Sequence, residues 1–155
     1  MSLVTSYRDG FQKGYNSYQS TLEATGMEFD ILITGEDEEY EFGEEKKEIA
    51  IVVIDGTGEI SFDTTVISFY RSNWIDIDPT VVHLSPGEIA KIKTTSQCRL
   101  AIIKTSNDLS FKGKVYQPSD IDTEHRGKDQ LDDTCYRLVR LAFDDTISPK
   151  EAKLV

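Results

Sequence analysis

Histidine is the residue that most often ligates a catalytic metal or moves a proton near neutral pH, and this 155-residue chain contains two. His83 sits in Val81-Val82-His83-Leu84, on one strand face with Val81, where a lone histidine reads as a hydrogen-bonded core or edge residue. His125, in Glu124-His125-Arg126-Gly127-Lys128, reads as a polar loop residue. Two histidines cannot build a His-rich zinc or manganese centre from this polypeptide alone. Asp76 and Asp78 alternate with Ile75 and Ile77, so an extended chain would put both carboxylates on one face, an arrangement that does acid-base work when burial separates the two pKa values. Pro79 follows directly, and a strand end reaching solvent is the simpler reading. The run Glu36-Asp37-Glu38-Glu39 lacks the alternating Asp/Asn, central Gly and distal Glu of a calcium loop and reads as a solvated surface. Ser/His/Asp or Cys/His catalysis has the residue types but no strand-to-helix nucleophile elbow to hold them. Cys98 and Cys135 lie far apart in strand-like runs and are expected to be buried free thiols.

The elements that would position these residues read as strands. Ile49-Ala50-Ile51-Val52-Val53-Ile54 is a short, β-branched apolar run, the pattern of a strand buried on both faces. Asp55-Gly56-Thr57-Gly58 then predicts a turn, with Glu59-Ile60-Ser61-Phe62 returning as the hairpin partner. Met27 to Ile33 alternates, with Phe29, Ile31 and Ile33 expected on the core face. Val66 to Tyr70 reads as an edge strand, and Thr80 to Leu84 runs into the turn Ser85-Pro86-Gly87. Trp74 is expected to pack at the end of the sandwich. Cys98 to Lys104 and Thr134 to Leu141 read as further strands, with a long polar connection over Ser106 to Gln130. Tyr7, Phe11, Tyr15 and Tyr18 recur at about every fourth residue, which suits either a helix interrupted by Gly10 and Gly14 or an extended arm.

A chain near 150 residues buries roughly 70% of its unfolded surface as one domain. With 28 acidic against 17 basic residues the formal charge is −11, which repels phosphate backbones and anionic lipid, so neither nucleic acid nor membrane is an expected partner. Residues 1–20 lack the basic and apolar regions of a signal peptide, and no apolar run approaches the ~20 residues of a membrane span. A cytoplasmic location is the expectation.

Strand, glycine-rich turn, strand, Pro-Gly turn and strand, in this order, resemble the two motif regions of a cupin, an all-β antiparallel sandwich or jelly roll. A metal-binding cupin carries a His-x-His pair shortly before a Glu that precedes its glycine turn, and another His after its Pro-x-Gly turn. Here Glu48 matches that Glu, Glu41 to Lys47 holds no histidine, and Ala90 stands where the last ligand would be. The cupin resemblance is therefore degenerate at the metal site. Phe29-Asp30-Ile31-Leu32 with Gly35-Glu36, Glu48 through Gly58, Arg71 followed by Pro79, Val82-His83-Leu84-Ser85-Pro86-Gly87, and Arg126-Gly127 with Arg137-Leu138-Val139 together resemble the amino-terminal half of a 5-deoxyglucuronate isomerase of inositol catabolism, in the family that includes the 5-keto-4-deoxyuronate isomerases.

That resemblance implies a domain layout of an arm over 1–26, a cupin-like sandwich over 27–143, and a linker over 144–155 that opens a second cupin domain. It implies aldose-ketose isomerisation of a sugar acid by the whole protein, an intramolecular oxidoreductase, with a divalent metal, zinc or manganese, held in that second domain. This half would be inactive alone and carry no metal or catalytic residue. Its implied partners are the second cupin domain of the same protein and further copies in a homo-oligomer. Arg71 and Arg137 are the candidates for a substrate or inter-domain contact, since a guanidinium grips a carboxylate bidentately; pairing with the abundant surface acids is the plainer expectation. The rival reading is a free-standing, metal-free cupin that serves as a small-ligand-binding or oligomerisation module.

Overall fold

Between Val53 and Gly56 the longest strand of the molecule changes sheets, and the rest of the fold follows from that step. The computed structural model describes residues 10–17 and 25–155. Among them are eleven strands: β1 Gly14–Ser17, β2 Met27–Ile33, β3 Glu39–Phe42, β4 Lys47–Phe62, β5 Thr65–Arg71, β6 Val81–Leu84, β7 Ala90–Thr94, β8 Arg99–Ser106, β9 Lys114–Tyr116, β10 Asp122–Arg126 and β11 Arg137–Leu141. The first half of β4 pairs with β8 and β6, within a sheet ordered β1-β2-β8-β4-β6-β9. Its second half pairs with β5 and β7, and β7 pairs onward with β3. Every one of these pairings is antiparallel. Strands β10 and β11 form a separate two-stranded ribbon.

The predicted turn at Asp55 to Gly58 is therefore a β-bulge. The register against β8 slips between Val53 and Asp55, Gly56 takes a φ of +116°, and the chain continues straight to Phe62. The hairpin comes later, at Asp63-Thr64, where Phe62 faces Thr65. Glycine was needed here for a bend, and both a bend and a turn leave the same residue type in the sequence.

Alternation along the strands fills the space between the two sheets. Leu32, Ile49, Ile51, Val53, Val82, Leu84, Leu100 and Ile102 meet Phe42, Ile60, Phe69, Ala90 and Ile92 in one closed apolar core. Each buried Val, Leu, Ile or Phe side chain among them stabilises the fold by roughly 1.5–3 kcal/mol. The outer face of the first sheet is also covered. There Ile31, Ile33 and Ala101 pack with Phe29, Val52 and Ile54, and Val81, Tyr116 and Ile121 pack with Ala142 and Phe143. Phe29, Ile31 and Ile33 thus face outward from the main core, which receives Leu32 instead.

Several other expectations change in the same way. Trp74 is 56% exposed rather than packed at the end of the sandwich. Cys98 is a buried free thiol, whereas Cys135 is exposed in the turn before β11. The 106–130 connection contributes β9 to the first sheet and β10 to the ribbon, so His125 lies on a strand. Tyr15 belongs to an extended segment that pairs with β2, while Tyr7 and Tyr18 lie outside the described residues. No helix among the described residues is long and apolar enough to cross a membrane.

Candidate functional site

Because Ile49, Ile51 and Val53 point into the core, Glu48 on the same strand must point out of it. The same parity on β6, with Val82 and Leu84 inward, turns His83 outward. The antiparallel register sets Ala50 opposite His83 and Ile49 opposite Leu84, which brings Glu48 and His83 together on the outer face of the first sheet. His83 Nε2 lies 2.6 Å from Glu48 Oε1, and the two residues are 1% and 0% exposed. Glu48 Oε1 also accepts the Leu154 backbone N–H at 2.9 Å, while Oε2 accepts the Asn107 Nδ2 at 2.8 Å and the Lys153 N–H at 2.8 Å. Asn107 Nδ2 reaches the Glu151 carbonyl as well, at 2.8 Å. The His83 ring stacks on Phe143, centroids 4.3 Å apart and planes within 3°, and touches Phe111 at 4.9 Å.

Burial pushes the Glu48 carboxyl up, but the hydrogen bonds from His83, Lys153, Leu154 and Asn107 outweigh it and hold the group below the ordinary carboxylate range. An ionised carboxylate only accepts, so His83 Nε2 carries the proton and donates it. With both oxygens engaged and both side chains closed to solvent, the pair has no path to a substrate. What it can do is anchor: residues 151–154 are held to the sheet through Glu48 and Asn107. Two of the four donors are backbone groups more than a hundred residues along the chain from Glu48, at separations of 105 and 106. No local pattern could have pointed to them.

Among the described residues the cupin-type metal centre has no equivalent set of side chains. Glu48 faces away from the barrel interior with its lone pairs taken, a departure from the ligand position its sequence match suggested. Ala90 does point inward, 0% exposed, among Phe42, Ile60 and Ile92. Among the described residues no three His, Cys, Asp or Glu side chains group closely enough to hold an ion. The described residues do not fit a catalytic divalent metal.

Arg71, at the end of β5, is 6% exposed, and its guanidinium donates to backbone carbonyls: Nε to Ile77 at 2.8 Å, Nη1 to Val53 at 2.6 Å and Nη2 to Trp74 at 3.1 Å. It braces the 72–79 loop against the bulge of β4, where neither substrate nor surface acid was needed to explain it. Burial, then the neighbouring Arg140, lower its pKa. Arg140, which the sequence reading passed over, is the arginine that joins this group. Its Nε meets Asp78 Oδ1 at 2.6 Å and its Nη2 meets the Ile75 carbonyl. Asp78 also accepts from Thr123 Oγ1 at 2.8 Å, whereas Asp76 is exposed, so the two aspartates do not act as a pair. Arg137 is an exposed residue of β11, opposite Arg126.

Two concavities adjoin these groups. A polar cleft of about 710 Å³ at one end of the sandwich is lined by Asp55, Thr57, Tyr70, Arg71, Gln97 and Arg99, with Arg99 Nε bonded to both Asp55 oxygens at 3.0 and 2.8 Å. An apolar groove of about 370 Å³ runs over the outer face of the first sheet between Val52, Val81, Ile103, Phe143 and Leu154, beside the Glu48 anchor.

The sandwich is similar to known structures. An IolB-like protein from Salmonella typhimurium LT2 superposes with a TM-score of 0.73 at 19% identity, over 90% of this chain and 54% of that one. Protein Ylba from E. coli gives 0.58 at 11% identity, over 74% of this chain and 52% of that one. The cupin domain of Schizosaccharomyces pombe Cnp3 gives 0.50 at 12% identity, over 67% and 70%. At these identities the likeness shows the fold alone, and the fold is the cupin-like β-sandwich. The chain spans about half the length of the IolB-like protein it matches. No curated protein sequence matches it. The KduI/IolB family model matches residues 3–155, and the chain belongs to the KduI/IolB family.

Proposed function

We propose that this chain is the amino-terminal, non-catalytic cupin domain of a bicupin sugar-acid isomerase of inositol catabolism. The reaction is aldose-ketose isomerisation, of the 5-deoxyglucuronate to 5-dehydro-2-deoxygluconate type, in which a proton moves between adjacent carbons through an enediol. Its site, with the zinc or manganese ion, belongs to a second cupin domain.

Family membership and the half-length match to the IolB-like protein support the assignment. The observation that carries the non-catalytic part is the interior itself. The space that a metal-binding cupin uses for chemistry is filled here by Ile49, Ile51, Ile60, Leu84, Ile92 and Leu100, each at most 1% exposed, with Ala90 at the ligand position. The work left to the domain is mechanical. Glu48 and Asn107 fix residues 151–154 on the outer sheet face, Arg71 stiffens the bulge end, and Arg137 is the exposed guanidinium that can meet a second domain.

Proton NMR of 5-deoxyglucuronate tests this with the 155-residue chain and with the product of the complete gene, each supplied with zinc or manganese. Conversion by the longer product and none by the chain alone is the expected result. Conversion by the 155-residue chain overturns the reading.

A further inference from the structure

Among the described residues β5 pairs with β4 alone and is the open edge of its sheet. Phe62 and Thr65 flank a two-residue turn, and the pair flanking such a turn exchanges both backbone hydrogen bonds. Alternation then directs the N–H and C=O of Val66, Ser68 and Tyr70 away from β4. The far side of β4 agrees. Thr57 faces Tyr70 across the pair, yet its carbonyl accepts the Thr95 N–H at 2.9 Å on the β7 side, so its polar groups turn away from β5.

Sheet edges are normally guarded by charge, proline, shortness or a bulge, because an open row of backbone groups templates further strands. The opposite edge of this sheet, β3, has such guards: it is four residues long and reads Glu39-Tyr40-Glu41-Phe42. The edge β9 is three residues long and includes Lys114. Thr65-Val66-Ile67-Ser68-Phe69-Tyr70 has no charge, proline or glycine, in a chain of formal charge −11. Val66 and Tyr70 stand 63% and 64% exposed on it.

We propose that β5 pairs antiparallel with β5 of a second copy of this chain, about a two-fold axis between the two Ser68 residues, joining the two sheets into one. The segment is self-complementary in that register. Val66 of each copy faces Tyr70 of the other, a β-branched residue against an aromatic ring, and Ser68 faces Ser68. All three outward residues fall in hydrogen-bonded pairs, so every open N–H and C=O of the edge is used. Other registers leave some of them unpaired. The nearest like charge is Glu59, which sits beside Ser68 on β4 with Lys93 on its other side. The two copies of Glu59 would stand three strand spacings apart, about 14 Å, beyond the screening length of about 8 Å at physiological salt. The repulsion left is that of the whole anionic surface. Pairing therefore strengthens with added salt.

This interface is independent of the isomerase reading and stands or falls separately. Sedimentation velocity of the 155-residue chain, from micromolar to millimolar concentration, should show a monomer-dimer equilibrium. Tyr70→Lys and Val66→Lys each remove the facing valine-tyrosine contact twice per dimer and put on the edge a charge of the kind that blunts strand addition, so each should weaken the pairing by roughly tenfold, with the melting temperature at micromolar concentration unchanged because both side chains are exposed. In a Cys135→Ser background, Ser68→Cys should oxidise to a disulfide-linked dimer, since facing residues of a hydrogen-bonded pair lie about 5.5 Å apart at Cα. A chain that stays monomeric at millimolar concentration, or a dimer that neither lysine variant weakens, overturns the proposal. A dimer whose Ser68→Cys form does not cross-link through position 68 on oxidation overturns it too, because another face would then hold the copies.

Discussion

A Cβ built on Gly56 would lie 2.8 Å from the Cα of Cys98, the backbone that leads into β8. The bulge brings the two main chains too close for any side chain at position 56, and the φ of +116° there is one that only glycine adopts readily. Gly56→Ala should therefore lose about 2–4 kcal/mol, from overpacking and backbone strain together, seen as a lower urea midpoint. Cys98→Ala in the same chain should not restore it, because the clash involves the Cα as well as the thiol.

The Glu48 cluster makes a second prediction. Removing one partner of a buried, hydrogen-bonded pair leaves the rest unsatisfied, at a cost of about 3–5 kcal/mol. Glu48→Ala strands His83, Asn107 and the Lys153 and Leu154 N–H groups at once, and should cost an amount in that range. Hydrogen exchange gives the sharper readout. The amides of Lys153 and Leu154 should lose protection by more than the global stability change explains.

The same carboxylate sets an acid limit. Its pKa in the folded chain lies below the ordinary value, while the unfolded value is about 4.3. A depressed carboxylate stabilises the fold fully above the unfolded pKa, and that contribution disappears as pH falls through the folded one. Glu38 follows the same direction, held down to about 2 by Lys13, Tyr40 and the Gly35 N–H, so the wild type loses stability below about pH 4.3 through more than one group. Comparing wild type with Glu48→Gln across that window isolates Glu48. The variant should start less stable and lose less on acidification.

Arg71 and Arg137 were the two arginines marked out by the family resemblance, and their surroundings predict opposite outcomes. Arg71→Lys keeps the charge but cannot span the carbonyls of Val53, Trp74 and Ile77, and losing the buried bond to Val53 should cost about 1–3 kcal/mol. Exposed Arg137→Ala should change stability by no more than about 0.5 kcal/mol. Chemical denaturation of both variants separates a brace from a surface residue.

How far the sequence could be read depended on whether the deciding partner was local. Val81 to Leu84 and the Pro86-Gly87 turn were legible because alternation and a glycine at φ +82° act within a few residues. The course of β4 was not, since a turn and a bulge ask for the same glycines, and what keeps the chain straight is pairing with β7, about thirty residues on. Alternation in β2 revealed two faces without saying which was the main core, because both faces of that sheet are covered by apolar residues. For His83 the plain reading, a hydrogen-bonded core or edge residue, held, with Glu48 as its partner. The remaining members of that cluster, Asn107 and the 151–154 segment, meet it only in three dimensions.

The central claim is that this sandwich keeps the cupin frame without a place for the reacting ion. Its most direct test is metal content by mass spectrometry after equilibrating the folded 155-residue chain with zinc or manganese and then with metal-free buffer. The account predicts far less than one ion per chain, with an unchanged melting temperature. One tightly retained equivalent, lost on substitution of His83 or Glu48, would contradict it.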